Sequence, residues 1–298
     1  MALLPPFFLE TVVAIGVGND PNKRHWIGTG FLFGKVVDTT VQITDRKYKV
    51  WLITNKHVLA DIKNIYIKFN SAKEPNSKDY KIELIAQNGR PRWIGHSDDK
   101  VDVAAIMINP NFLKQEDRKY QFFQSDTHIM DKGAMIKNEI TEGDGVFVLG
   151  FPMGMVTPDR QYVICRNGSI ARIRDFLENK TTDFLIDAMV FPGNSGGPVV
   201  TCPSGIAIQG TNTLSSANLI GIVKSYVPYQ DVAVSIQTKQ TRVIFEENTG
   251  LTAIESVSSI METIALAEKR IKGRIAQTKN RQKKKEMSTK IKVLTNGA

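Results

Sequence analysis

The sequence predicts an all-β fold, two six-stranded antiparallel β-barrels followed by a basic α-helical tail. Three observations carry that reading. Short runs rich in Val, Ile, Phe and Tyr recur with turn residues between them. Few helical patterns separate those runs before residue 238, which argues against a doubly wound α/β sheet. Near the end of the chain, apolar residues recur at alternating spacings of three and four, the period of a helix.

The first six strands are expected near 10–18, 26–37, 48–54, 63–69, 80–88 and 101–108. The second six are expected near 145–151, 161–173, 183–190, 197–202, 218–226 and 231–237. Closing each set on itself removes exposed strand edges and leaves a cleft between the two barrels. The chain divides accordingly into an N-terminal barrel at 1–109, a connection at 110–144, a C-terminal barrel at 145–250 and a tail at 251–298. The connection is long for a loop, and such lengths are unusual unless partly structured or functional. Thr238–Glu247 reads as a short closing helix ending near Gly250.

In the tail, Val257, Ile260, Ile264, Ala267, Ile271 and Ile275 form a narrow apolar stripe. Residues 255–298 hold 11 Lys or Arg against four acids, which is +7 of the chain's +9. The body is therefore nearly neutral, and the basic charge belongs to an appendage. Two uses compete for it: a helix that packs on the body or self-associates, and a dock for an acidic partner, either protein or nucleic acid. Membrane-surface binding is disfavoured because the apolar face lacks aromatics.

The segment Gly193-Asn194-Ser195-Gly196-Gly197-Pro198 places a serine in a glycine-rich turn. A serine hydroxyl is a weak nucleophile and needs a neighbouring base and a pocket for the oxyanion it creates. The same residues are common in ordinary turns, so the motif alone is only a hypothesis. It also satisfies G-x-S-x-G, the elbow of α/β-hydrolases, whose histidine follows the serine. All four histidines, His25, His57, His96 and His128, precede Ser195, which excludes that elbow. His57 follows the apolar run Val50–Thr54, and Asp102 opens the run Val101–Ile108. An acid at the mouth of a buried strand is costly unless paired, and an imidazole N–H is a suitable partner. His25, His96 and His128 sit in polar stretches and read as solvated loop histidines.

These segments resemble the trypsin-like, chymotrypsin-fold serine peptidases, with the nearest likeness to the bacterial high-temperature-requirement group. The likeness rests on Gly28-Thr29-Gly30-Phe31, Thr54-Asn55-Lys56-His57-Val58, Asp102-Val103-Ala104, Leu149-Gly150-Phe151-Pro152 and Ile186-Asp187-Ala188 through Pro198. The resemblance implies Ser195 as nucleophile, His57 as its base and Asp102 as the group that orients the imidazole. It also implies an oxyanion hole formed by the N–H groups of Gly193 and Ser195. Activity is then expected to rise as His57 loses its proton. Asn194 stands where the secreted digestive enzymes carry an acid that pairs with a new N-terminus, which argues against activation by cleavage. Met189 stands where trypsin carries the acid that reads Lys or Arg, so small or medium apolar residues are expected before the scissile bond. Ala188, Lys224, Ser225 and Tyr226 are expected to complete that pocket.

The resemblance implies a protein or peptide substrate, and the sequence offers no metal-ligand spacing, so no cofactor is expected. Cys165 and Cys202 lie in separate expected strands and are not required to pair. No membrane span is expected, and the interrupted apolar patch at Ala2–Leu9 makes a poor secretory signal, so a cytoplasmic location is expected. The alternative from another class is a catalytically idle binding module of the same fold that acts through its basic tail.

Overall fold

The computed structural model describes residues 3–73, 76–205, 212–274 and 276. Residues 277–298 of the basic tail, and Ile275 of its apolar stripe, lie outside the described residues.

The first half opens with one helical turn, α1 (Pro6–Leu9), and continues through β1 (Val12–Val17), β2 (His25–Val36) and β3 (Tyr48–Thr54). A second turn, α2 (Lys56–Leu59), leads to β4 (Asn64–Asn70), β5 (Ser77–Glu83), β6 (Ile94–Gly95) and β7 (Ala104–Ile108). The connection carries α3 (Pro110–Gln115), β8 (Phe123–Gln124) and α4 (Lys132–Lys137). Asn109 and Asp131 cap α3 and α4 by accepting from the N–H groups of Asn111 and Ala134.

The first sheet has eight strands in the order β5-β4-β1-β2-β3-β7-β6, with β8 parallel to β2. This corrects the expected six-stranded barrel: β5 and β6 are the two ends of an open path. Charged residues Lys78, Asp79, Lys81 and Glu83 stud β5 and blunt its edge, and β6 spans only two residues. The seam opens into a cavity of about 810 Å³ lined by Phe69, Ile82, Ile106 and Leu113 among others.

The second half does close. Strands β9 (Gly145–Gly150), β10 (Ile164–Arg172), β11 (Asp183–Asp187), β12 (Pro198–Thr201), β13 (Leu219–Val234) and β14 (Thr241–Ser256) form a barrel in the order β10-β11-β14-β13-β12-β9. A turn of helix, α5 (Arg174–Leu177), bridges β10 and β11. Two expectations are overturned here. Thr238–Glu247 is not a helix but the end of a turn and most of the outer half of β14, and the run 231–237 belongs largely to the uninterrupted β13. Val243 and Phe245 alternate with Arg242, Ile244 and Glu246, and Val232 pairs with Ile244 across the hairpin. That distant partner sets a strand period which a short apolar run cannot declare alone. The barrel consequently ends at Ser256 rather than at residue 250, and the last described helix, α6, covers residues 257–274.

Helix α6 buries the stripe read from sequence: Val257, Ile260, Ile264 and Ala267 are fully buried, and Ile271 packs beside them. They join a core with Phe31, Trp51, Ile53, Leu149 and Leu219, residues drawn from both sheets. Val50 and Leu52 face the other way, into a core with Val13, Leu32 and Ile67. Both faces of β3 are thus covered, which is why Val50-Trp51-Leu52-Ile53 is continuously apolar. A third core fills the closed barrel with Val146, Ile186, Ile220 and Ile254. Two loop histidines prove structural rather than solvated. His96 Nε2 pairs with Glu262 of α6 at 2.9 Å, and His128 lies against Phe7 and Phe8, where burial lowers its pKa.

Candidate active site

Strand β3 delivers the histidine. The Thr54 hydroxyl donates to the Thr29 carbonyl at 2.8 Å, and buried Asn55 donates through Nδ2 to the Asp102 carbonyl at 2.6 Å. The chain then turns at once into α2, which sets His57 over the start of the β7 segment. The His57 N–H donates to Asp102 Oδ1 at 3.2 Å, and its ring Nδ1 contacts Asp102 Oδ2. Burial alone would push the Asp102 carboxyl up. The hydrogen bond and charge of His57 outweigh it and hold the group below the ordinary carboxylate value.

The serine comes from the loop between β11 and β12. Gly193 and Gly196 have φ of +100° and +85°, the left-handed region open to glycine. A Cβ on Gly193 would strike the Phe151 carbonyl, and one on Gly196 the Thr29 carbonyl. Met153 N–H donates to the Pro192 carbonyl and the Thr29 hydroxyl to the Gly193 carbonyl, both at 2.6 Å. A trans peptide points its C=O and N–H in opposite directions, so the Gly193 N–H faces away from Met153. Among the described residues, the Gly193 and Ser195 N–H groups have no protein acceptor. Thr29 N–H donates to the Ser195 carbonyl at 2.9 Å, which ties the loop to the first sheet. Buried Asn194 accepts from the Phe191 N–H at 3.1 Å, fastening the loop to itself.

His57, Asp102 and Ser195 line one cleft of about 410 Å³. The Ser195 hydroxyl lies 3.5 Å from the Lys224 carbonyl, a contact too long to hold its proton firmly. Val190, Phe191, Pro192, Val223, Ser225 and Tyr226 complete the walls with Lys224. Two expected wall residues are elsewhere. Ala188 is buried in the barrel core, and Met189 is 43% exposed outside the cleft lining. Successive residues of an extended segment face opposite sides, so Ala188 turns inward and Met189 outward.

Behind the cleft lies a cluster that sequence reasoning missed. Fully buried Glu255, on β14, accepts the Asp102 N–H at 2.9 Å and Lys224 Nζ at 2.9 Å. Lys224 Nζ also donates to Asp183 Oδ2 and to the Lys100 carbonyl, each at 3.1 Å. Burial raises the Glu255 pKa against the pull of the Asp102 N–H and Lys224. Burial would lower the Lys224 pKa, but its hydrogen bonds and charge contacts with Glu255 and Asp183 raise it. The cluster binds the acid-bearing segment of the first half to the second barrel.

Cys165 and Cys202 are both free thiols, and burial raises the pKa of each. No described helix is long and apolar enough to cross a membrane. Comparison with curated proteins returned no match. The trypsin-like peptidase domain, by contrast, matches residues 28–208, a span that includes His57, Asp102, Ser195 and the glycines around that serine. With more than half of its length covered by that match, the chain belongs to the trypsin-like peptidase domain family.

Proposed function

We propose that the chain is a serine endopeptidase using His57, Asp102 and Ser195. The observation that carries this reading is the contact of His57 Nδ1 with Asp102 in the cleft that also exposes Ser195 beside two N–H groups without protein acceptors. In the proposed cycle, Ser195 Oγ bonds to the scissile carbonyl carbon while its proton passes to His57 Nε2. Asp102 accepts the Nδ1 proton in a hydrogen bond and stabilises the imidazolium without taking the proton. The carbonyl oxygen, now negative, accepts from the N–H groups of Gly193 and Ser195. His57 then returns its proton to the leaving amine, and water releases the acyl group by the same steps reversed. A fluorophosphonate probe is expected to label the chain at Ser195 and to leave Ser195→Ala unlabelled. Equal labelling of both would overturn the assignment.

The same reading assigns specificity for small or medium apolar residues before the scissile bond. Its support is the apolar wall of Val190, Phe191 and Val223, with no carboxylate among the described lining residues besides Asp102, which His57 already engages. A peptide library is expected to be cut after residues such as alanine, valine and leucine. Efficient cleavage after arginine would sink this assignment while leaving the nucleophile intact. The self-fastened Asn194 supports a loop ordered without a new N-terminus.

A further inference from the structure

Beyond the closed barrel, β13 and β14 continue together as a two-stranded arm. Pro228 to Val234 pairs only with Thr241 to Asn248 among the described residues, whereas β12 ends its pairing with β13 at Ile222 and β11 meets β14 only from Leu251 onward. Residues paired across a hairpin share a face. One face therefore carries Val232 with Ile244, and the other carries Tyr229, Ala233, Val243 and Phe245. These side chains are not covered: Phe245 is 58% exposed, Ile244 57%, Tyr229 53% and Val232 52%, with Ile236 at the tip 87% exposed. An isolated two-stranded hairpin is marginal in water, and exposed apolar side chains on both of its faces mark an interaction site.

The free edge of β14 is complementary to itself. Setting Ile244 opposite the Ile244 of a second copy in an antiparallel pair places Arg242 opposite Glu246 and Val243 opposite Phe245, each twice by symmetry. Cross-strand pairs of opposite charge and of apolar residues are those that stabilise a sheet. Gln230 Nε2 donates to Glu246 Oε2 at 2.9 Å, which steadies that carboxylate on the arm. The free edge of β13 offers no such match, because Pro228 lacks an N–H and centring the pair on Val232 sets Asp231 opposite Ala233.

We propose that the arm joins two copies of this chain by antiparallel pairing of β14 edges centred on Ile244. Arg242 and Glu246 are both exposed, and Glu246 Oε1 also accepts from the Tyr226 hydroxyl at the barrel, so the fold of each variant is checked directly. Analytical ultracentrifugation of the full chain over a concentration series is expected to show a monomer–dimer equilibrium. Arg242→Glu and Glu246→Arg, each shown by circular dichroism to be folded, are each expected to weaken association at least tenfold, because each sets like charges opposite one another. An equimolar mixture of the two variants is expected to regain the association of the unaltered chain, since opposite charges then meet at both positions. A chain that stays monomeric throughout would overturn the proposal and assign the arm to a different protein. A dimer indifferent to either variant, or a mixture that fails to recover, would overturn it equally.

Discussion

Glu255 shows how much one buried carboxylate organises around the cleft. Its Oε1 serves the backbone N–H of Asp102 and the Lys224 ammonium together, and its Oε2 is buried without a partner among the described residues. A half-buried ammonium that loses its counter-charge is costly, although Asp183 remains beside Lys224. Glu255→Gln is expected to lower stability by on the order of 2 kcal/mol, read as a shifted midpoint in urea titration at neutral pH. An unchanged midpoint would show that Asp183 alone satisfies Lys224. Little of this was legible beforehand. Glu255 stands beside Ser256, Ser258 and Ser259 at the start of a helical pattern, where a charged residue reads as solvated. Its partner Asp102 lies 153 positions away, and no local pattern records such a pairing. The serine loop was legible because its glycines are demanded locally, by backbone angles and close approach.

At the scale of elements, the one-turn helix α5 owes its start to a distant acid. Glu142 Oε1 accepts the N–H of Ile173 at 3.0 Å and of Arg174 at 3.3 Å, and Oε2 accepts from Arg174 Nε at 3.1 Å. The Ile173 hydrogen bond leads the causes that bring its pKa from 4.5 to about 2. A carboxylate with a depressed folded value binds fewer protons folded than unfolded, so its stabilisation is full above its unfolded value and fades as pH falls toward the folded one. Glu142→Gln is therefore expected to cost about 1 kcal/mol at pH 7. The two proteins should converge as the pH falls from 4.5 to about 2, the window of the shift. Urea titrations across that range check this, and a gap independent of pH would refute it. Helix α6 was legible for the opposite reason: its stripe repeats at a period visible in the sequence, and the structure buries it from Val257 to Ala267. The stretch 238–247 was misread because a strand in a projecting hairpin has its period confirmed only by its partner.

For the whole molecule, cleft and scaffold are distributed unevenly along the chain. The sequence order of His57, Asp102 and Ser195 disclosed the two-part architecture, yet the open seam of the first sheet was not disclosed, because closure depends on how two distant strand edges meet. The segments that complete the frame follow the cleft residues in sequence. Strand β14 closes the barrel and brings Glu255 under Asp102, while α6 seals a core shared by both sheets. During synthesis, a chain that has emerged through Thr201 already carries His57, Asp102 and Ser195, but neither β14 nor α6. At about 5–20 residues per second, the stretch from there to Ile271 takes several more seconds to appear. Translation thus makes the residues of the cleft first and the strand and helix that hold Asp102 in its frame only afterwards.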